Sequence, residues 1–158
     1  MAASYVGIGV AGSTTGSLTV GFPSGAENGD LIILIVETAN QPIASISGWT
    51  KLGGFGVGTA GGTGVAHDVF YKICSGDSIV TVGDAGDHTY GVAFAVRGID
   101  ETTPINSSSF NGSATSASSR TLPSVNTDTD DSIVFFVLGL TTDSTSSGLA
   151  SSWSNANM

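Results

Sequence analysis

The sequence predicts an all-β fold: a single antiparallel β-sandwich, jelly-roll-like, with about eight strands and little helix. Three observations predict it. Apolar residues recur with a period of two, as they do where successive side chains point to opposite faces of a sheet. Turn-forming clusters punctuate the chain every five to nine residues or so, the ordinary length of a strand. No stretch combines helical periodicity, an N-cap and freedom from glycine over the roughly eleven residues of an average helix.

Taken in chain order, SLTVGF (17–22) places Leu18, Val20 and Phe22 on one face. After the turn group PSGAENGD (23–30), DLIILIVE is apolar on both faces, which predicts a central strand covered on each side. DVFYKI (68–73) sets Val69, Tyr71 and Ile73 against Phe70 and Lys72. A short strand, SIVTV, follows the turn SGD (75–77). In HTYGVAFAVRGI, Tyr90, Val92, Phe94 and Val96 share one side, and Gly91, Ala93, Ala95 and Arg97 the other. SIVFFVLGL (132–140), behind TDTDD (127–131), again predicts a central strand. Two segments read as loops within the one domain (1–158): a glycine-rich loop over 53–64 and a Ser-rich loop over 107–121, the latter with Phe110 as the centre of a short edge strand if it forms one.

Composition bounds the function. The chain of 158 residues carries 13 acidic side chains against four basic ones, a net charge of −9. Lys51, Lys72, Arg97 and Arg120 are too few and too scattered to neutralise a row of phosphates, so no nucleic-acid partner is expected. The same deficit argues against anionic lipid, and no apolar run reaches the length that spans a bilayer, so membrane insertion is not expected either. Cys74 has no second cysteine to pair with and reads as a small buried residue. The N-terminus MAASYVGIGV lacks the basic region of a signal peptide, so synthesis in a reducing cytoplasm is expected.

Several motifs suggest chemistry and each has a plainer explanation. Gly56-x-Gly58-x-x-Gly61 has the spacing of a dinucleotide-binding turn, but the next segment, VAHDVFYKI, is a strand pattern. That turn needs a helix to receive the pyrophosphate, so a hairpin loop is the better reading and no cofactor is expected. Asp77 and Ser78 in GDSI echo a serine-esterase motif, with a turn cornered by Asp77 as the alternative. His67-Asp68 and Asp87-His88 cannot form dyads locally, because strand neighbours face opposite ways. Together across strands, the two histidines and a carboxylate would suit a metal, but no spacing specifies this. Asp128, Asp130 and Asp131 resemble part of a calcium loop without its glycine and terminal glutamate. Glu37 and Arg97 are expected to pair if their strands adjoin. Asn106 and Asn111 open N-glycosylation acceptor patterns, which mean little without a secretory route. Trp49 and Trp153 read as caps on a sandwich core. No catalytic site and no metal site is assigned, and the chain is not expected to be an enzyme.

The blocks NGDLIILIVET, GWTKLGG, HDVFYKICSGD, DHTYGVAFAVRGIDETTPI and LPSVNTDTDDSIVFFVLG occur in an order that resembles virion structural proteins of tailed bacteriophages. The resemblance spans roughly 26–158 and lies in the succession of short pieces (G-D-L, G-W-T, F-Y-K, R-G-I-D, T-P-I), each weak alone. It implies a β-sandwich in a tail fibre, tail appendage or head decoration, acting through assembly contacts with other virion proteins. A homo-oligomer, with a trimer favoured, and location in the virion after assembly in the host cytoplasm are also implied. Similar sequences continue past the W-S-N-A-N block, so this chain is expected to be the N-terminal part of a longer one. The alternative is a carbohydrate-binding module for the host surface, with Trp49, His88 and Tyr90 as candidate glycan or partner contacts.

Overall fold

The computed structural model describes residues 2–39, 41–57, 64–86, 88–111, 123–127, 132–135 and 137. These residues contain eight strands and no helix: β1 (Ser4–Ile8), β2 (Gly12–Thr14), β3 (Leu18–Gly21), β4 (Leu31–Thr38), β5 (Thr50–Val57), β6 (Val65–Ile73), β7 (Ile79–Val82) and β8 (Thr89–Arg97). Accordingly, none of the described residues forms a helix long and apolar enough to cross a membrane. All pairings are antiparallel. Six strands form one sheet in the order β1-β8-β4-β6-β5, with β2 beside β1 on the same edge of β8; β3 and β7 form a second, two-stranded sheet. The described strands thus divide six and two, and by themselves they do not trace a jelly-roll.

The middle of the large sheet is β4, whose every residue pairs with β6 on one side and β8 on the other. Its even-numbered side chains, Ile32, Leu34 and Val36, are fully buried beside Phe70, Ala93 and Ala95. This inner face is covered by Leu18 and Val20 of β3, Val80 and Val82 of β7, and Ile43 and Ile46 of the loop after β4. Small residues on β8 let the cover come close. A Cβ on Gly91 would lie 2.8 Å from a methyl of Val20 and 2.9 Å from one of Leu18.

The odd-numbered side chains of β4 face the other way. Leu31 and Ile33 join Val69 and Val96 in a second core, against which Leu52, Tyr71, Ile73, Ile99, Ile105 and Ile133 pack. The chain beyond β8 therefore returns across this outer face. The alternation expected for 17–22, 68–73 and 88–97 holds in detail, down to the assignment of each residue to its face.

Two of these fold expectations need correction. Of SIVFFVLGL, residues 132–135 and 137 are described, and none is in a strand. The centre of the sheet is already filled by β4, and Ile133 instead packs onto the outer core. The glycine-rich loop 53–64 begins too early, because Gly53–Val57 belong to β5 and pair with Val65–Val69 of β6. Glycine is required there by packing. The ring of Phe110 lies where a Cβ of Gly53 would stand, and the Asp68 carboxylate where one of Gly54 would. The Ser-rich segment 107–121, read as a loop, is described over residues 107–111, which carry no strand, and the Phe110 ring lies over β5.

The N-terminal strands were not anticipated. The segment 4–14 runs along β8 in two pieces, with a register shift between Tyr5 and Gly7 and a break between β1 and β2. At the break Gly9 donates its N–H to the Ala93 carbonyl at 2.8 Å. Any Cβ on Gly9 would run into the Gly21 backbone carbonyl.

Two substitutions test this architecture by urea denaturation. Leu34→Ala, in the inner core, is expected to cost about 2–5 kcal/mol, the usual range for a buried leucine. Ile8→Ala, on a side chain 55% exposed, is expected to cost much less. Equal losses would contradict the assignment of the core.

Candidate functional site

Most charged side chains of the described residues fall into four groups, three of which hold loops in place; outside them, Asp84 accepts the Gly86 N–H at 3.0 Å and Asp100 the Thr102 N–H at 2.8 Å. At the β4 entrance, Asp30 is 2% exposed and accepts Arg97 Nε at 2.8 Å and Nη2 at 2.8 Å. Its Oδ2 also accepts the Glu27 N–H at 2.8 Å, and Arg97 Nη2 donates onward to the Gly25 carbonyl at 3.0 Å. The expected Glu37–Arg97 pair does not form. The antiparallel register sets Glu37 opposite Tyr90 and Leu31 opposite Val96, which places the two charges at opposite ends of the sheet. Hydrogen bonding from Arg97 holds the Asp30 carboxyl below its ordinary 3.8, against the opposing effect of burial.

At the other end of the inner face, Asp68 is equally buried. Lys51 Nζ lies 2.7 Å from its Oδ1, and Ile43 donates its N–H to Oδ2 at 2.6 Å. The same ammonium donates to the Ile43 carbonyl at 2.7 Å, so one ion pair fastens the loop after β4 over the core.

The third group is the turn after β6. Burial alone would raise the Asp77 carboxyl, but Lys72 Nζ at 2.7 Å and the Ser75 N–H at 3.3 Å outweigh it and leave the pKa lowered. Gly76 takes φ +99° at the corner. Asp77 is therefore committed to the turn, while the Ser78 carbonyl accepts the Phe22 N–H at 2.8 Å and ties the turn to β3.

The fourth group crosses the outer face. The strand register lines up Phe55, His67, Glu37, Tyr90 and Ser13 across five strands. His88 Nε2 reaches Glu37 Oε1 at 3.4 Å. Glu37 thus stands beside His67 on the adjacent strand and within reach of His88, an arrangement no local spacing could reveal. They differ in setting. His67 is 5% exposed, lies 5.6 Å from the Phe55 ring and leaves Nε2 without a hydrogen-bond partner, whereas His88 is exposed. Burial lowers the pKa of His67 from 6.5, despite the opposing pull of Glu37 and Asp68. Among the described residues no three His, Cys, Asp or Glu side chains are placed to hold a metal ion.

The candidate contacts Trp49, His88 and Tyr90 do not share a surface. Trp49 packs on the inner core, edge-on to Phe22 at 5.8 Å, with Lys72 Nζ 5.9 Å over its ring. Tyr90 and His88 lie at the far end of the sheet on the outer side. Cys74 is buried and free. Asp87, Asp128, Asp130, Asp131 and Trp153 lie outside the described residues.

A feature that sequence reading missed is an apolar surface on the outer side of β1 and β8. Ile8 stands opposite Phe94 and Tyr5 opposite Val96. The Phe94 and Phe135 rings are 6.1 Å apart. Tyr5, Ile8, Tyr90 and Phe135 are all exposed. Period-two alternation marks a strand's faces but does not say which part of an apolar face a later segment will leave open.

Comparison of this chain with protein-family models, with curated proteins and with solved structures finds no match.

His67 and Asp30, each with a lowered pKa, both lose their contribution to stability as pH falls, over different ranges. His67 stays neutral in the fold while the unfolded chain takes up a proton, so stability is full above 6.5 and declines as pH falls toward the lower folded pKa. Asp30 contributes above 3.8 and loses its contribution as pH falls through its lower folded value. The urea midpoint should therefore drop between about pH 7 and about pH 5 in the parent and change less in His67→Gln. An unchanged slope in that variant would contradict a buried neutral His67.

Proposed function

We propose that this chain is a structural component of a bacteriophage virion, in a tail fibre, tail appendage or capsid decoration, acting through protein–protein contacts and performing no catalysis. The order of short sequence blocks supports the phage assignment. A contact role is supported by one structural observation above the others: among the described residues three charge clusters fasten loops, while Tyr5, Ile8 and Tyr90 stand exposed on β1 and β8. Contiguous exposed apolar surface on a folded domain marks a place where something else binds. In this reading the partners are other virion proteins and further copies of the chain, and the protein is located in the assembled particle.

The alternative, a glycan-binding module, loses its three-residue platform because the half-buried Trp49 packs against the inner core, at the opposite end of the sheet from His88 and Tyr90. It would rest on His88 and Tyr90 alone.

The test is particle composition. Mass spectrometry of purified phage particles, with antibody labelling in electron micrographs, should find the chain at a defined place on head or tail. Its presence in infected-cell lysate but absence from purified particles would contradict the reading. A glycan-array signal abolished by Tyr90→Ala would favour the alternative.

A further inference from the structure

We propose that a second copy of this chain docks on the outer face over β1 and β8, at a contact centred on Tyr5, Ile8, Phe94 and Phe135. The proposal rests on the assembly reading above and names its surface and partner. The four side chains are connected: Ile8 and Phe94 are cross-strand neighbours, Phe94 and Phe135 rings stand 6.1 Å apart, and Tyr5 is paired with Val96 beside them. Tyr5 is 52% exposed and Ile8 55%, on a sheet whose other apolar side chains are largely covered. Among the described residues, β1 pairs with β8 alone, so its second edge is also open.

Charge selects the occupant. The chain carries a net −9, so two copies repel through most of their surface. The first 26 residues contain no Asp, Glu, Lys, Arg or His, and the outward residues of β8 are Tyr90, Val92, Phe94 and Val96. Edge strands are ordinarily guarded by charges, and here none stands guard. A basic partner would be drawn to the acidic loops, and an anionic lipid surface would find no cations here. A neutral apolar face lets two copies of an acidic chain meet without opposing like charges and with burial of apolar area to gain.

Sedimentation velocity over a range of protein and salt concentrations tests this. The parent chain should self-associate, more strongly as salt screens the general repulsion. Ile8→Lys and Tyr5→Lys, each with its circular dichroism intact, should weaken association about tenfold or more. Thr19→Lys adds the same charge at an exposed site on β3, away from this face, and should not. A monomer at every concentration and salt overturns the proposal. So does association that ignores Ile8→Lys and Tyr5→Lys, association that Thr19→Lys weakens equally, or capture of this face by a different virion protein alone. A monomer that still enters phage particles would overturn self-docking and leave the virion reading standing; an oligomer absent from particles would do the reverse.

Discussion

A strand that is apolar on both faces must be covered twice, and the rest of this molecule follows from that requirement. Ile32, Leu34 and Val36 point one way from β4, Leu31 and Ile33 the other, and both rows are buried. Neither neighbour in the sheet can cover a face, since β6 and β8 lie in the same layer. The inner row is closed by the β3–β7 pair and the loop after β4; the outer row is closed by chain that follows β8. Hydrophobic burial is roughly proportional to area and has no direction, so it supplies the drive but not the arrangement.

Direction comes from the buried aspartates. Asp30 and Asp68 sit at opposite ends of the inner face, and each receives a cation together with a backbone N–H from the loop it anchors. A buried carboxylate is tolerated only when such partners are present. Loops that supply those partners are therefore fixed in place, and the cover they form has one geometry. The β3–β7 pair needs no such anchor for its position, because Gly91, Ala93 and Ala95 leave it a shallow seat on β8. Among the described residues, the exposed part of the outer face over β1 and β8 is neutral and apolar.

Much of the sheet could be read in the sequence because its central strands keep a strict alternation. Residues 90–97 divide into two faces by inspection, and the strand register gives the same division. The N-terminal strands escaped because Gly7, Gly9 and Gly12 interrupt their alternation and the register shift at Tyr5–Gly7 moves it from one face to the other. Gly53–Val57 were misread for a related cause: glycine signals a turn by its backbone freedom, but here it makes room for Phe110 and Asp68. The partner of Arg97 was a matter of register, which sets whether a residue at one end of a strand meets the near or far end of its neighbour. The placing of Glu37 between His67 and the start of β8 depends on the order β8-β4-β6, and no spacing along the chain encodes that order.

β4 is the doubly covered centre of the large sheet. Backbone amide hydrogen exchange, resolved by residue, tests it most directly. The amides of Leu31–Thr38 should be the slowest to exchange, followed by those of β6 and β8, with the edge strands β1 and β5 fastest. Exchange across Leu31–Thr38 as rapid as in Ser4–Ile8 would contradict the account.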